Sequence, residues 1–95
     1  MRLMPAIAKV IKEFYEVKSD KAVIARGTIV VDDEFIQVTA FGSTATYLLK
    51  YSQSGKRIYL KDWNVSKRDN GYEFYIRQVE IVDYKEWCNN VRFKI

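Results

Sequence analysis

The chain has 95 residues, which suffices for one small domain and leaves too little for a second hydrophobic core. Its composition, 48% apolar and 29% charged, excludes disordered, collagen-like and mucin-like classes. With one cysteine and no histidine, the sequence excludes an internal disulfide and any site that requires histidine. We therefore expect a single domain over residues 1–95, without cofactor or metal, in the reducing cytoplasm.

The charge and the aromatic content indicate a class of partner. The formal net charge is +4, and 15% of the residues are aromatic, half of them tyrosine. This surplus exceeds what a small core needs, so it favours a polyanionic partner whose rings can stack on the protein. The sequence has no apolar stretch of the length that spans a bilayer, and we expect no membrane partner.

Three strands are predicted in the first half of the chain. Ala6–Tyr15 has apolar residues at helical spacing, yet we assign a strand because the whole topology otherwise lacks one; a helix stays the alternative. Ala22–Val31 is β-rich, and Gly27 inside it is typical of a bulge or a bend. A turn at Asp32-Asp33 leads into the run Asp33–Phe41, in which the inward residues Ile36, Val38 and Ala40 alternate with outward ones.

A helix is predicted next. Ser43 or Thr44 is the expected N-cap, and Ala45, Leu48 and Leu49 form a helically spaced apolar stripe.

Two further strands complete the pattern. Arg57–Trp63 alternates with Ile58 and Leu60 inward, and Glu73–Val82 is rich in aromatic and β-branched residues. The pair Asn70-Gly71 between them predicts a hairpin turn.

Three strands, a helix and two strands are the order of the OB-fold, a five-stranded Greek-key barrel with a helix between the third and fourth strands. We therefore predict an all-β OB-fold with one helix. The barrel is expected over about residues 6–83, followed by a C-terminal extension over residues 84–95.

Catalysis has little support in the sequence. Gly55-Lys56 lacks the earlier glycine that a phosphate-binding loop requires. Asp32, Asp33 and Glu34 are interpreted as a solvated turn, with a hard cation as the weaker alternative. Cys88 has no cation beside it in the sequence and is interpreted as an inert thiol. We predict a binding protein and not an enzyme.

The outward face of the central strands is the candidate site. We expect the strand of Phe35 and Phe41 to lie beside the strand of Tyr59 and Trp63, so that rings stack on bases while cations neutralise phosphates. Trp63 is outward by strand phase unless a bulge at Asp62 reverses the alternation. At least one of the aromatic residues at positions 72, 74 and 75 should join this surface; the alternative for all these rings is a second core face or a subunit interface. The candidate nucleic-acid-binding residues are Phe35, Gln37, Phe41, Arg57, Tyr59, Lys61, Trp63, Lys67, Arg68 and Tyr72.

An ordered set of short runs resembles the bacterial-type single-stranded DNA-binding proteins. The run from Phe35 to Gly42 resembles the family's strand ending in Phe-Gly, and Gly55–Leu60 resembles the entry to its next strand. Tyr75–Val82 is similar to the family's last strand. The resemblance implies single-stranded DNA as the partner, stacking at Phe35 and Phe41, and homo-oligomers, either tetramers or dimers. It also places Lys67 at a basic site, whereas the role of Trp63 rests on strand phase alone.

The sequence departs from the family pattern in ways that affect binding. Asp62 replaces a glycine, and Ser43 and Ser54 stand where basic residues are common. The family's acidic tip is missing, so the chain is interpreted as a short form without acidic-tail recruitment of partners.

Two classes of function follow from the sequence. The first is sequence-independent binding of single-stranded DNA in replication, repair, recombination or plasmid and phage DNA transfer. The second is an OB-fold interaction module for proteins, such as an accessory replication or primosome component, which the two serines favour slightly. Single-stranded RNA is a third possibility, because the sequence gives no sign of whether a 2′-hydroxyl is sensed.

Overall fold

The computed structural model describes residues 1–82. The predicted extension over residues 84–95, and Cys88 within it, lie outside the described residues. Within the described part, no helix is long and apolar enough to cross a membrane. The elements in chain order are β1 (Arg2–Leu3), β2 (Ala6–Val17), β3 (Ile24–Val31), β4 (Glu34–Phe41), α1 (Gly42–Tyr51), β5 (Arg57–Arg68) and β6 (Gly71–Val82).

The long strands close into a barrel. The sheet order is β5-β2-β3-β4-β6, and the pairing of β6 with β5 completes the circle, while the short β1 pairs with β5. Every neighbouring pair is antiparallel except β4 and β6, which run parallel from Val38–Phe74 to Ala40–Ile76. A closed five-stranded barrel with one helix between its third and fourth strands is the OB-fold that the sequence predicted. The segment Ala6–Tyr15, for which a helix was the alternative, is therefore part of a strand, β2.

The barrel interior is an apolar core. One face of α1 covers it through Ala45 and Leu48, which are fully buried, as the helical spacing predicted. The fully buried large side chains are Val10, Ile29, Val38, Leu48, Ile58 and Leu60. Burial of apolar surface of this kind contributes about 25 cal/mol per Å² and is the main stabilising term of such a domain.

The predicted N-cap of α1 is wrong. The helix begins at Gly42 and its N-cap is Phe41, with no side-chain capping hydrogen bond. Thr44 lies inside the first turn, where its hydroxyl instead donates to the carbonyl oxygen of Arg77 at 2.7 Å. Gly42 has a φ of +64°, which glycine adopts readily, and it joins β4 directly to the helix. Ser43 therefore already lies inside the helix and cannot be its N-cap.

The two predicted hairpin turns are present. Asp32 and Asp33 have φ values of 50° and 65°, as a two-residue turn with left-handed central residues requires. In the second hairpin Arg68 pairs with Gly71, so the turn residues are Asp69 and Asn70, one position earlier than predicted.

Gly27 provides space and does not form a bulge. A Cβ atom at this position would lie 2.8 Å from ring atoms of the buried Phe14. The pairing of β3 with β4 is regular through Gly27, and the irregularities lie on the opposite strand, between Val10 and Tyr15 of β2.

The strand phase of β5 reverses near Asp62, which makes the outward assignment of Trp63 wrong. Register shifts lie on both sides of Asp62, so that Leu60 and Trp63 both point into the barrel. Trp63 is only 5% exposed, its indole N–H donates to the carbonyl oxygen of Met4 at 2.7 Å, and its ring stacks on Phe74 with 6.0 Å between centroids. The bulge considered in the sequence analysis is therefore the one observed.

Replacing Trp63 with alanine should destabilise the fold. Loss of a buried indole and its hydrogen bond is expected to lower the free energy of unfolding by about 3–5 kcal/mol, measured by urea denaturation. Phe35→Ala is the matched control, because Phe35 is 73% exposed and its loss should change stability by about 0.5 kcal/mol or less. Equal effects of the two substitutions would contradict the burial of Trp63.

Candidate nucleic-acid interface

The outward side chains of four neighbouring strands form a row across the barrel. Tyr15 of β2 pairs with Arg26 of β3, Arg26 pairs with Thr39 of β4, and Thr39 pairs with Tyr75 of β6. Paired residues on one face of a sheet lie about 5 Å apart, so their side chains are close enough to act on one ligand. This row crosses the middle of the face that OB-folds commonly use for nucleic acids.

Aromatic rings flank the row. Phe41 is 47% exposed, and its ring stacks on Tyr75 with 5.7 Å between centroids and 26° between planes. Phe35, at the other end of β4, is the most exposed aromatic ring among the described residues. Gln37 lies between them on the same outward side. We call this surface the β4 face; it comprises Arg26, Phe35, Gln37, Thr39, Phe41, Arg68, Glu73 and Tyr75.

A compact polar cluster holds Arg68 on the β4 face. Its Nε donates to Glu73 Oε2 at 3.2 Å, and its Nη2 donates to the Tyr75 hydroxyl at 2.7 Å. The Tyr75 hydroxyl in turn donates to the same Glu73 oxygen. The guanidinium also lies 6.0 Å from the centroid of the Tyr75 ring, within range of a cation–π contact.

This cluster shifts two ionisation equilibria. The hydrogen bond from Tyr75 is the largest effect and lowers the pKa of Glu73. Desolvation, the second largest, opposes it, while the charges of Arg68 and Arg26 lower the pKa further. The hydrogen bond with Tyr75, together with the charge of Glu73, raises the pKa of Arg68. Glu73 is therefore ionised at neutral pH and Arg68 stays cationic.

The β5–β6 hairpin extends the β4 face at its tip. Tyr72 is 67% exposed and borders a cleft that Phe35 and Gln37 also line. Lys67 pairs with Tyr72 and lies near the turn. The structure thus brings Phe35, Gln37, Phe41, Arg68 and Tyr72, five of the ten candidate residues, to one side of the molecule. Lys67 precedes Arg68 on the strand, so its side chain points to the opposite face of the hairpin.

Three other candidates lie on a different surface, because β4 and β5 are not neighbours in the sheet as the sequence analysis expected. Strand β6 lies between β4 and β5, so Tyr59 pairs with Ile7 of β2 and Glu80 of β6 and not with any residue of β4. Lys61 donates to Glu80 at 2.5 Å on that surface. Arg57 begins the same strand and pairs with Lys9. The tenth candidate, Trp63, is in the core.

Sequence reasoning missed several residues of the β4 face, as well as Tyr15 of the row that crosses it. Arg26 and Tyr15 belong to strands whose pairing partners alternation alone does not identify. Tyr75 was one of three aromatic residues between which the sequence did not decide. Glu73 had no signal of its own, although its position two residues before Tyr75 puts it on the same face of a strand.

The comparisons with known proteins agree with this fold. No family model matches the chain, and no curated protein matches it. Among solved structures, the chain is similar to the SSB domain of a protein from Synechococcus sp., with a TM-score of 0.69 and 13% sequence identity. The alignment covers 82% of this chain and 94% of that one. The chain therefore has an SSB-type OB-fold, as the sequence resemblance implied.

Tyr75→Phe should raise the pKa of Glu73 toward its ordinary value, because it removes the hydroxyl that donates to the carboxylate. Because folding lowers the pKa of Glu73, its ionised carboxylate stabilises the wild-type protein at a pH above the pKa that Glu73 has in the unfolded chain. This stabilisation is lost as the pH falls through the lower pKa of the folded state. The measurement is an NMR titration of the Glu73 side-chain carboxyl carbon, with Tyr72→Phe as the control. An unchanged titration in Tyr75→Phe would disprove the hydrogen bond's role.

Proposed function

We propose that the β4 face binds single-stranded DNA without reading its sequence. The observation that carries this proposal is the exposed Phe35 and the Phe41–Tyr75 stack on the same outward face as Arg26 and Arg68. A ring as exposed as Phe35 buries little apolar surface, so it contributes little to the stability of the barrel itself. Such rings offer stacking surfaces that every base can use, and the cations offer phosphate contacts.

The geometry supports a path along β4 toward the hairpin tip. Phe41 and Phe35 lie at opposite ends of that strand, six residues apart, which at about 3.3 Å per residue is roughly 20 Å. A single strand bound over this length would place several nucleotides along the face, with Arg26 beside its middle. Tyr72 of the hairpin would contact the end of the bound DNA nearest Phe35.

The proposal has finer parts that follow the sequence resemblance. We place the protein in the cytoplasm, as a homo-oligomer that protects or presents single strands in replication, repair, recombination or DNA transfer. The alternative of a protein-binding OB module is an outcome of the test below, and so is a preference for RNA. Support for nucleic acid over protein comes from the pairing of rings with arginines on one face, which suits bases and phosphates together.

Phe41→Ala should weaken binding to oligo-dT by a factor of about 5 to 150, the equivalent of a stacking contribution of about 1–3 kcal/mol. Fluorescence anisotropy of a labelled oligonucleotide measures the change. Tyr51→Ala is the matched control, because Tyr51 is 49% exposed but lies at the far end of α1 from Phe41.

The same titration tests the class of ligand. For each phosphate contact, the logarithm of the binding constant should fall with the logarithm of the salt concentration with a slope of about −0.7. Equal affinity for duplex and single strand, a flat salt response, or equal losses in the Phe41 and Tyr51 variants would contradict the proposal. Tighter binding of oligo-U than of oligo-dT would redirect it to RNA.

A further inference from the structure

Glu73 places a carboxylate among the cations that would contact the phosphates of the proposed ligand. Its carboxylate accepts hydrogen bonds from Arg68 and from the Tyr75 hydroxyl, and it lies within the electrostatic reach of Arg26. An anion thus already engages the cations of the β4 face before any nucleic acid arrives.

A carboxylate and a phosphate use the same N–H groups of an arginine. The guanidinium is a planar fork that binds either group through charge-assisted hydrogen bonds. In this protein the Nε of Arg68 is committed to Glu73 and Nη2 to Tyr75. A backbone phosphate that approaches Arg68 along the face therefore meets a guanidinium whose Nε–H points at a carboxylate.

We propose that Glu73 is an intramolecular competitor of the nucleic-acid backbone, which holds Arg68 in place when the face is empty and limits affinity when it is occupied. This inference rests on the proposed function of the β4 face. Binding would require the carboxylate to leave Arg68, or to share it, so that part of the favourable phosphate contact is offset by the broken ion pair. Neutralising Glu73 removes this cost and should strengthen binding.

The expected gain follows from one additional phosphate contact. The salt slope for single strands should become steeper by about 0.7. With the affinities of the two proteins at 1 M salt as the common reference, a slope that is steeper by about 0.7 makes the variant bind roughly fivefold more tightly than the wild type at 0.1 M salt.

The experiment compares Glu73→Gln with Glu80→Gln in oligo-dT titrations at several salt concentrations. Glu80 is a matched control, because it pairs with Lys61 at 2.5 Å in an exposed ion pair on the surface away from the β4 face. Both variants raise the net charge by one. Only Glu73→Gln should give the roughly fivefold gain and the steeper slope, and adding Arg68→Gln to it should abolish both.

The outcomes separate the inference from the proposed function. If the wild-type protein binds oligo-dT and Glu73→Gln gains no more than Glu80→Gln, the competitor role is wrong while the binding function stands. If neither the wild type nor Glu73→Gln binds, both proposals are wrong. If only Glu73→Gln binds, the competitor role is supported in its strongest form.

A measurement on the wild-type protein covers the case of a variant that does not fold. The NMR signal of the Arg68 Nε–H group should move when oligo-dT is added, together with the carboxyl carbon of Glu73, because their hydrogen bond is exchanged for one to phosphate. Signals that stay fixed at saturation would overturn the proposal.

Discussion

A reversal of side-chain phase at the same level of β5 and β6 is the constraint on which both the core and the candidate site depend. Leu60 and Trp63 point inward on β5, and Ile76 and Val79 point inward on β6, with two outward or half-buried residues between the members of each pair. Because Leu60 faces Val79 and Trp63 faces Ile76, the two strands change phase at the same level. Without this change Tyr75 would face the core, and the stack with Phe41 could not form.

Most of the fold was predictable because its signals are local or combine by simple rules. Alternation predicted the inward residues of β4, and helical spacing predicted the buried stripe of α1. Asp32-Asp33 and Asn70-Gly71 predicted the hairpins, the second of which turns one position earlier. The first strand could be assigned only from the whole topology. The N-cap was misplaced because Gly42, with its positive φ, joins β4 directly to the helix, a geometry that capping preferences do not describe.

Residues of the candidate site could be predicted only where alternation along a single strand groups them. Phe35, Gln37 and Phe41 share a strand face, so alternation alone groups them. Tyr59 and Trp63 were misplaced for two different reasons: the former because β6 lies between its strand and β4, the latter because the phase reverses. The phase change does have a sequence signal. Apolar residues at positions 58, 60, 63 and 65 on one strand mirror those at 74, 76, 79 and 81 on the other.

Photochemical cross-linking tests the location of the binding face most directly. An oligo-dT that carries 5-bromouracil reacts on irradiation with aromatic side chains that stack on the base, and mass spectrometry identifies the modified residues. Cross-links are expected at Phe35, Phe41 and Tyr75 of the β4 face. Cross-links concentrated at Tyr59 or Tyr51, which lie on β5 and α1, would contradict it.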